Sequence, residues 1–189
     1  MTDATTDATT ETASPSPAGE RRWRDDLHLA HTIADQVDPL TRGHFEAQDV
    51  EVETKPDLTP VTAADREAER LIRDYLSRAR TRDSVLGEEF GVTGHSPRQW
   101  IIDPIDGTKN FVRGVPVWAT LISLVEDGRV VVGLASAPAL GKRWWAVAGG
   151  GAWSGRSLAL AHQLHVSGVA ALEDASLSYS SLSGWAERR

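Results

Sequence analysis

The sequence predicts a layered α+β domain, because two amphipathic helical stretches come first and a run of short strands joined by tight turns follows. Leu27, Ala30, Ile33, Ala34, Val37 and Leu40 recur at helical spacing, which places a first helix from about residue 23 to beyond residue 40. Pro39 is expected to kink or end it. Val50 and Val52 alternate with Glu51 and Glu53, so 49–54 reads as a half-buried strand leading into a loop over 55–59, a candidate flap. Thr62 then suits an N-cap with Asp65 at the capping-box position, and Ala64, Ala68, Leu71, Ile72, Tyr75, Leu76 and Ala79 make one apolar stripe.

The remaining elements are strands. Residues 100–102 read as a short buried strand, after which Pro104 should end regular pairing. Past Gly114, strands are expected at 117–126, 129–137 and 142–148, with turns at Asp127-Gly128 and Gly149-Gly150-Gly151, and another candidate at 177–180. Connections this short predict a mostly antiparallel sheet.

With 189 residues, 40% of them hydrophobic, the chain can bury a core of one to one and a half domains. Residues 1–20 offer almost nothing to bury and read as a disordered tail, leaving 21–189 as the folded part. A formal charge of −7 argues against nucleic acid as a partner. No signal-peptide pattern or membrane-length apolar run occurs; the best candidate, 130–140, is short and broken by Gly and Pro, so the expected address is the cytoplasm. The absence of cysteine excludes disulfides, thiolate metal sites and a cysteine nucleophile, leaving oxygen and nitrogen for any metal. The histidines are scattered without metal spacing, and Gly149-Gly150-Gly151 lacks the Lys-Ser or Lys-Thr of a nucleotide loop.

The segment Trp100-Ile101-Ile102-Asp103-Pro104-Ile105-Asp106-Gly107-Thr108 carries the strongest chemical signal. Two carboxylates three residues apart, where an apolar strand meets a glycine turn, can converge on one side. Gly107 lets the backbone approach a ligand, and the amides after it, opening a short helical segment, would face an anion. Oxygen ligands beside an anion cradle suit Mg²⁺ and a phosphate. Asp-Pro and Asp-Gly also form turns for purely local reasons, so these two residues alone leave a plain turn open.

Thr59-Pro60-Val61-Thr62-Ala63-Ala64-Asp65, Gly87-Glu88-Glu89 and Asp103-Pro104-Ile105-Asp106-Gly107-Thr108, in this order, resemble the inositol monophosphatase superfamily of Mg²⁺-dependent, lithium-sensitive phosphatases. Wider stretches, among them residues 113–120 and 178–185, are similar to its actinobacterial-type histidinol-phosphatase branch, from about Trp23 onward. The resemblance implies an α/β sandwich of the sugar-phosphatase type. It also implies that a C-terminal half-domain bearing a further acidic metal ligand is missing, so 21–189 would be the metal-binding portion of an incomplete phosphatase domain.

By the same resemblance, Glu88, Asp103, Asp106 and the Ile105 carbonyl would hold Mg²⁺. Ile105, Asp106, Gly107 and Thr108 would surround the phosphate, and Asp65 with Thr108 would activate water. Clustered carboxylates stay ionised together only with a cation among them, which gives that ligand set physical sense. Asp65 could instead be a helix cap only, Glu88 a solvated strand-end acid, and Glu89 either a supporting or a solvated residue. Lys55 is either a flap cation over the site or a surface lysine. The implied substrate is a small phosphorylated metabolite, L-histidinol phosphate by branch. Inositol-1-phosphate, fructose-1,6-bisphosphate and phosphoadenosine phosphate are the alternatives, and an inactive metal- or phosphate-binding module is the competing class. Trp144 and Trp145 suit a core or a homodimer face.

Overall fold

Helix α1 (Pro17–Ala47) turns Leu27, Ala30, Ile33, Ala34 and Val37 inward, and α2 (Ala63–Ala79) adds Ala68, Ile72 and Leu76 beside them. Both stripes pack on a sheet that presents Trp100, Ile102, Ile122, Leu124, Val132, Leu134 and Trp145. The helices therefore form one layer and the sheet the next. The computed structural model describes residues 17–47, 52–54 and 60–178.

The sheet comprises β3 (Ser84–Gly87), β4 (Gly91–Thr93), β5 (Arg98–Asp106), β6 (Ala119–Glu126), β7 (Arg129–Ala137), β8 (Lys142–Val147), β9 (Gly151–Ser157) and β10 (Leu160–Leu164). Its order is β10-β9-β8-β7-β6-β5-β3-β4, and each pairing is antiparallel except β3 with β5. A separate antiparallel pair joins β1 (Val52–Thr54) to β2 (Pro60–Thr62). The β6–β7 hairpin turns where expected: Asp127 and Gly128 both have positive φ, as a two-residue primed turn requires.

Several expectations change. Pro39 lies inside α1 without ending it. Val37 and Thr41 beside it are fully buried, and the Thr41 hydroxyl donates to the Val37 carbonyl at 3.1 Å, so packing overrides the local breaker. The helix also starts at Pro17, inside the segment read as tail; proline's fixed φ suits a first helical turn. Residues 1–16 lie outside the described residues, as do 49–51 of the first expected strand and the 55–59 loop with Lys55.

Pro104 interrupts regular pairing as expected, although β5 itself runs on to Asp106. The β5–β6 ladder shifts register between Asp103 and Asp106, which places the missing donor at an irregularity, and Thr120 donates to the Pro104 carbonyl at 2.8 Å. The β9–β10 hairpin was not expected. Leu177 and Ser178 are not in a strand, and the rest of 177–180 is outside the described residues. Trp145 joins the core, edge-on to buried His31 with centroids 4.6 Å apart, while Trp144 is half-buried under Lys142. Among the described residues, no helix is long and apolar enough to cross a membrane.

A buried ion network ties the layers together. Asp26 of α1, fully buried, accepts from Arg80 at the end of α2 (2.7 Å) and from Arg98 at the start of β5 (2.8 Å). Arg98 continues to Asp83 (3.2 Å) and Glu126 (3.1 Å). Removing the shared acceptor takes the buried carboxylate from Arg80 and leaves Arg98 with only Asp83 and Glu126, breaking the link between α1 and the other two elements. Asp26→Ala should therefore cost about 3–5 kcal/mol in denaturant unfolding, and a loss below about 1 kcal/mol would show the network to be dispensable.

Candidate metal and phosphate site

The one parallel pairing builds the site. Ser84 stands opposite Gln99, and the register runs on to Gly87 opposite Ile102. The next residues, Glu88 just past β3 and Asp103 within β5, therefore stand at the same level beyond the parallel ladder, and their carboxyl groups hydrogen-bond to each other. Such a bond needs a proton on one of the two. Half-burial, the charge and hydrogen bond of Glu88, and the charge of Asp106 push Asp103 up to about 8; the Ile105 amide, donating to Asp103 Oδ1 at 3.1 Å, pulls the other way.

Asp106 is exposed beyond the register shift, where it pairs with Ala119. Among the described residues, no three His, Cys, Asp or Glu side chains close into a ready cage. What the structure brings together is the Glu88–Asp103 pair, with Asp106 near enough to act on Asp103 through its charge. That donor set fits Mg²⁺, which takes one or two carboxylates and keeps several waters.

Gly107 follows with φ +90°, and a Cβ there would come within 3.1 Å of the Val117 carbonyl, so only glycine suits the turn. It caps α3 (Thr108–Val112), whose first amides have no acceptor within the helix. The Thr108 hydroxyl donates to the Ile105 carbonyl at 3.0 Å, which uses one of that oxygen's two acceptor positions. Ile105 itself is buried with Ala64, Phe111 and Trp118 in a second small core. Phe111 and Trp118 meet edge-on at 5.0 Å, and Phe45 from α1 tilts against both.

That small core brings the start of α2 to the back of the Ile105–Thr108 turn, since Ala64 precedes Asp65. Asp65 is buried, and its Oδ2 accepts from the Thr62 amide (2.8 Å) and hydroxyl (2.6 Å), completing the capping box. The cap reading of Asp65 thus has its geometry in place, and Thr108 engages Ile105. Lys55, the flap cation of the sequence reading, is outside the described residues.

One residue escaped the sequence reading. Glu69 is fully buried and accepts from the amides of Glu89 (2.7 Å) and Phe90 (3.1 Å), directly after Glu88. The available signal was an acid four residues past Asp65, within the helical face that buries Ile72 and Leu76.

Residues 23–188 match the family model described as the inositol monophosphatase family. The chain belongs to that family. A histidinol-phosphatase of Streptomyces coelicolor is 66% identical over 170 residues, covering 88% of this chain and 64% of that protein. One from Mycobacterium tuberculosis is 61% identical over 163 residues, covering 86% of this chain and 63% of that protein. Among solved structures, an IMPase from Thermotoga maritima matches with a TM-score of 0.71 at 36% identity, covering 79% of this chain and 56% of its own. The chain thus spans less than two thirds of either histidinol-phosphatase, and its α+β layers are those of the inositol monophosphatase fold.

The raised Asp103 gives this candidate site a defined proton balance. Its folded pKa lies above the ordinary 3.8, so without metal the folded state binds the extra proton and stability falls as pH rises from about 4 towards 8. A divalent cation bound by Asp103 would require the ionised carboxylate and would displace that proton. Calorimetry near pH 7, in buffers of different ionisation enthalpy, should register release of about one proton per site, lost in Asp103→Asn. Proton-free binding in the unsubstituted protein would remove Asp103 from the ligand set.

Proposed function

We propose that the full-length protein is a Mg²⁺-dependent phosphomonoesterase that hydrolyses L-histidinol phosphate to L-histidinol and phosphate, in the cytoplasm. The observation that carries the reading is the meeting of Glu88 and Asp103, with Asp106 beside them, at the Gly107 turn. The two relatives named histidinol-phosphatase support the choice of alcohol.

Glu88, Asp103 and Asp106 would hold the metal. When bound, Mg²⁺ would supply Lewis acidity toward the phosphoryl oxygens and the attacking water. The first amides of α3 would receive phosphoryl oxygens, and Gly107 leaves room for that approach. Because the Thr108 hydroxyl spends its proton on Ile105, its oxygen is presented as an acceptor that can orient a water. For Asp65 to polarise that hydroxyl, the Thr108 O–H has to turn from the Ile105 carbonyl and donate to the carboxylate instead.

Phosphate release by the full-length protein should require Mg²⁺ and fall with Ca²⁺, whose looser coordination relaxes the octahedral geometry. The specificity constant for histidinol phosphate should exceed that for inositol-1-phosphate. Turnover that survives exhaustive chelation overturns the metal reading, whereas equal or reversed constants overturn only the substrate.

Asp65→Asn separates the two roles of that residue. As a cap alone, Asn still offers an oxygen, so stability should fall by at most about 1 kcal/mol with turnover nearly intact. If Asp65 polarises Thr108, turnover should drop about 10²-fold with metal affinity retained. Thr108→Ala should then match it, and the double variant should be little worse than either, as for groups acting as a unit. Full additivity would leave Asp65 as a cap.

A further inference from the structure

Glu69 is buried without an obvious need for a charge in the core, and its bonds all converge on one turn. Its carboxylate accepts from the Glu89 and Phe90 amides at 2.7 and 3.1 Å. It also accepts from Arg73 Nε at 2.8 Å, one helical turn further along α2. Arg73 in turn donates to the Gly91 carbonyl and the Thr93 hydroxyl, at the start and end of β4. The other side of Glu88 is tied to the same group: a Cβ built on Gly87 would fall inside the van der Waals envelope of the Glu69 carboxylate. The glycine of Gly87-Glu88-Glu89 therefore leaves the space that the Glu69 carboxylate occupies. The backbone around Glu88 is thus bonded on one side, and packed against on the other, by a single buried acid.

We propose that Glu69, locked by Arg73, is the positioning residue for Glu88: it holds the turn after β3 so that the Glu88 carboxylate meets Asp103 and the pair can take a divalent cation. This rests on the metal-centred reading of the site. A plain core role for Glu69 would show in stability alone, whereas a positioning role shows in metal affinity. Groups that orient metal ligands typically change affinity by 10–100-fold when altered.

The test is Mn²⁺ binding to the full-length protein, followed by electron paramagnetic resonance, alongside thermal unfolding. Glu69→Gln keeps the volume but cannot accept at both atoms, so its Mn²⁺ dissociation constant should rise about tenfold or more. Gly87→Ala, which pushes Glu69 off the turn from the other side, should raise it similarly. In a Glu69→Ala background the added methyl should change little further, because the clash is gone. A lowered unfolding midpoint with Mn²⁺ affinity within about twofold of the unsubstituted protein, in whichever of Glu69→Gln and Gly87→Ala folds, overturns the proposal. Asp103→Asn keeps the two readings apart. If it abolishes Mn²⁺ binding while Glu69→Gln and Gly87→Ala leave it intact, positioning by Glu69 fails alone. If Asp103→Asn binds normally too, the metal site itself fails.

Discussion

A sheet whose other pairings are antiparallel contains one parallel pair, and the candidate site depends on it. In an antiparallel pair, the residues that follow two neighbouring strands emerge at opposite ends. Here β3 and β5 point the same way in register, so Glu88 and Asp103 emerge side by side. Parallel neighbours need a return path, usually a helix. This chain returns through the short edge strand β4 and residues 94–97, which is why a tight turn carrying Glu88 stands at the site end of β3. The same pairing that brings the acids together makes that turn the piece of backbone most in need of restraint.

Restraint matters because the acids repel. Half-buried and facing Glu88 and Asp106, Asp103 holds a proton well above the usual carboxylate range, which is the free-energy signature of charges kept closer than water would leave them. Without fixed backbone on both strands, the pair would relax by moving apart. On the β5 side the Ile105 amide bonds Asp103, and Ile105 is anchored among Ala64, Phe111 and Trp118. On the β3 side the bonds to the turn come from Glu69. A cation that enters such a site gains from repulsion the fold has already imposed, so its binding draws on the stability of the two helices packed behind the sheet.

The parts of this arrangement that are local in sequence were legible there. The capping box of α2 needs only Thr62 and Asp65, and the β6–β7 turn needs only Asp127-Gly128; both are present. Asp103, Asp106 and Gly107 likewise announced a carboxylate turn because their chemistry is compressed into five positions. Pro104 was legible for the same local reason, since its missing donor falls at the register shift against β6, whereas Pro39 does not end α1 because packing of the buried helix face, which is distant in sequence, carries the helix past the lost donor. Glu69 was hidden differently. Its partners are backbone amides about twenty residues away, and nothing in an amide reports its partner to a reader of side chains. Periodicity alone showed an acid on a buried face, which is a question rather than an assignment.

Helix α2 links these observations mechanically. Asp65, Glu69 and Arg73 recur every four residues, so they lie along one side of the helix, while Ala68, Ile72 and Leu76 fill the core with Leu27, Val37 and Trp100. The Thr108 turn is approached from the first helical turn and the Glu88 turn from the second. A rigid helix cannot adjust one without the other. A repacked Ile72 or Leu76 that tilts α2 slightly would shift the back of the Thr108 turn and the support of Glu88 together, and misplacements of about 1 Å can cost reacting groups about a hundredfold in rate. Strands β8 to β10 hold no residue of the site, and packing changes there reach it only through β7, β6 and β5. The helix layer therefore sets the geometry of the candidate site in a way that the far edge of the sheet does not.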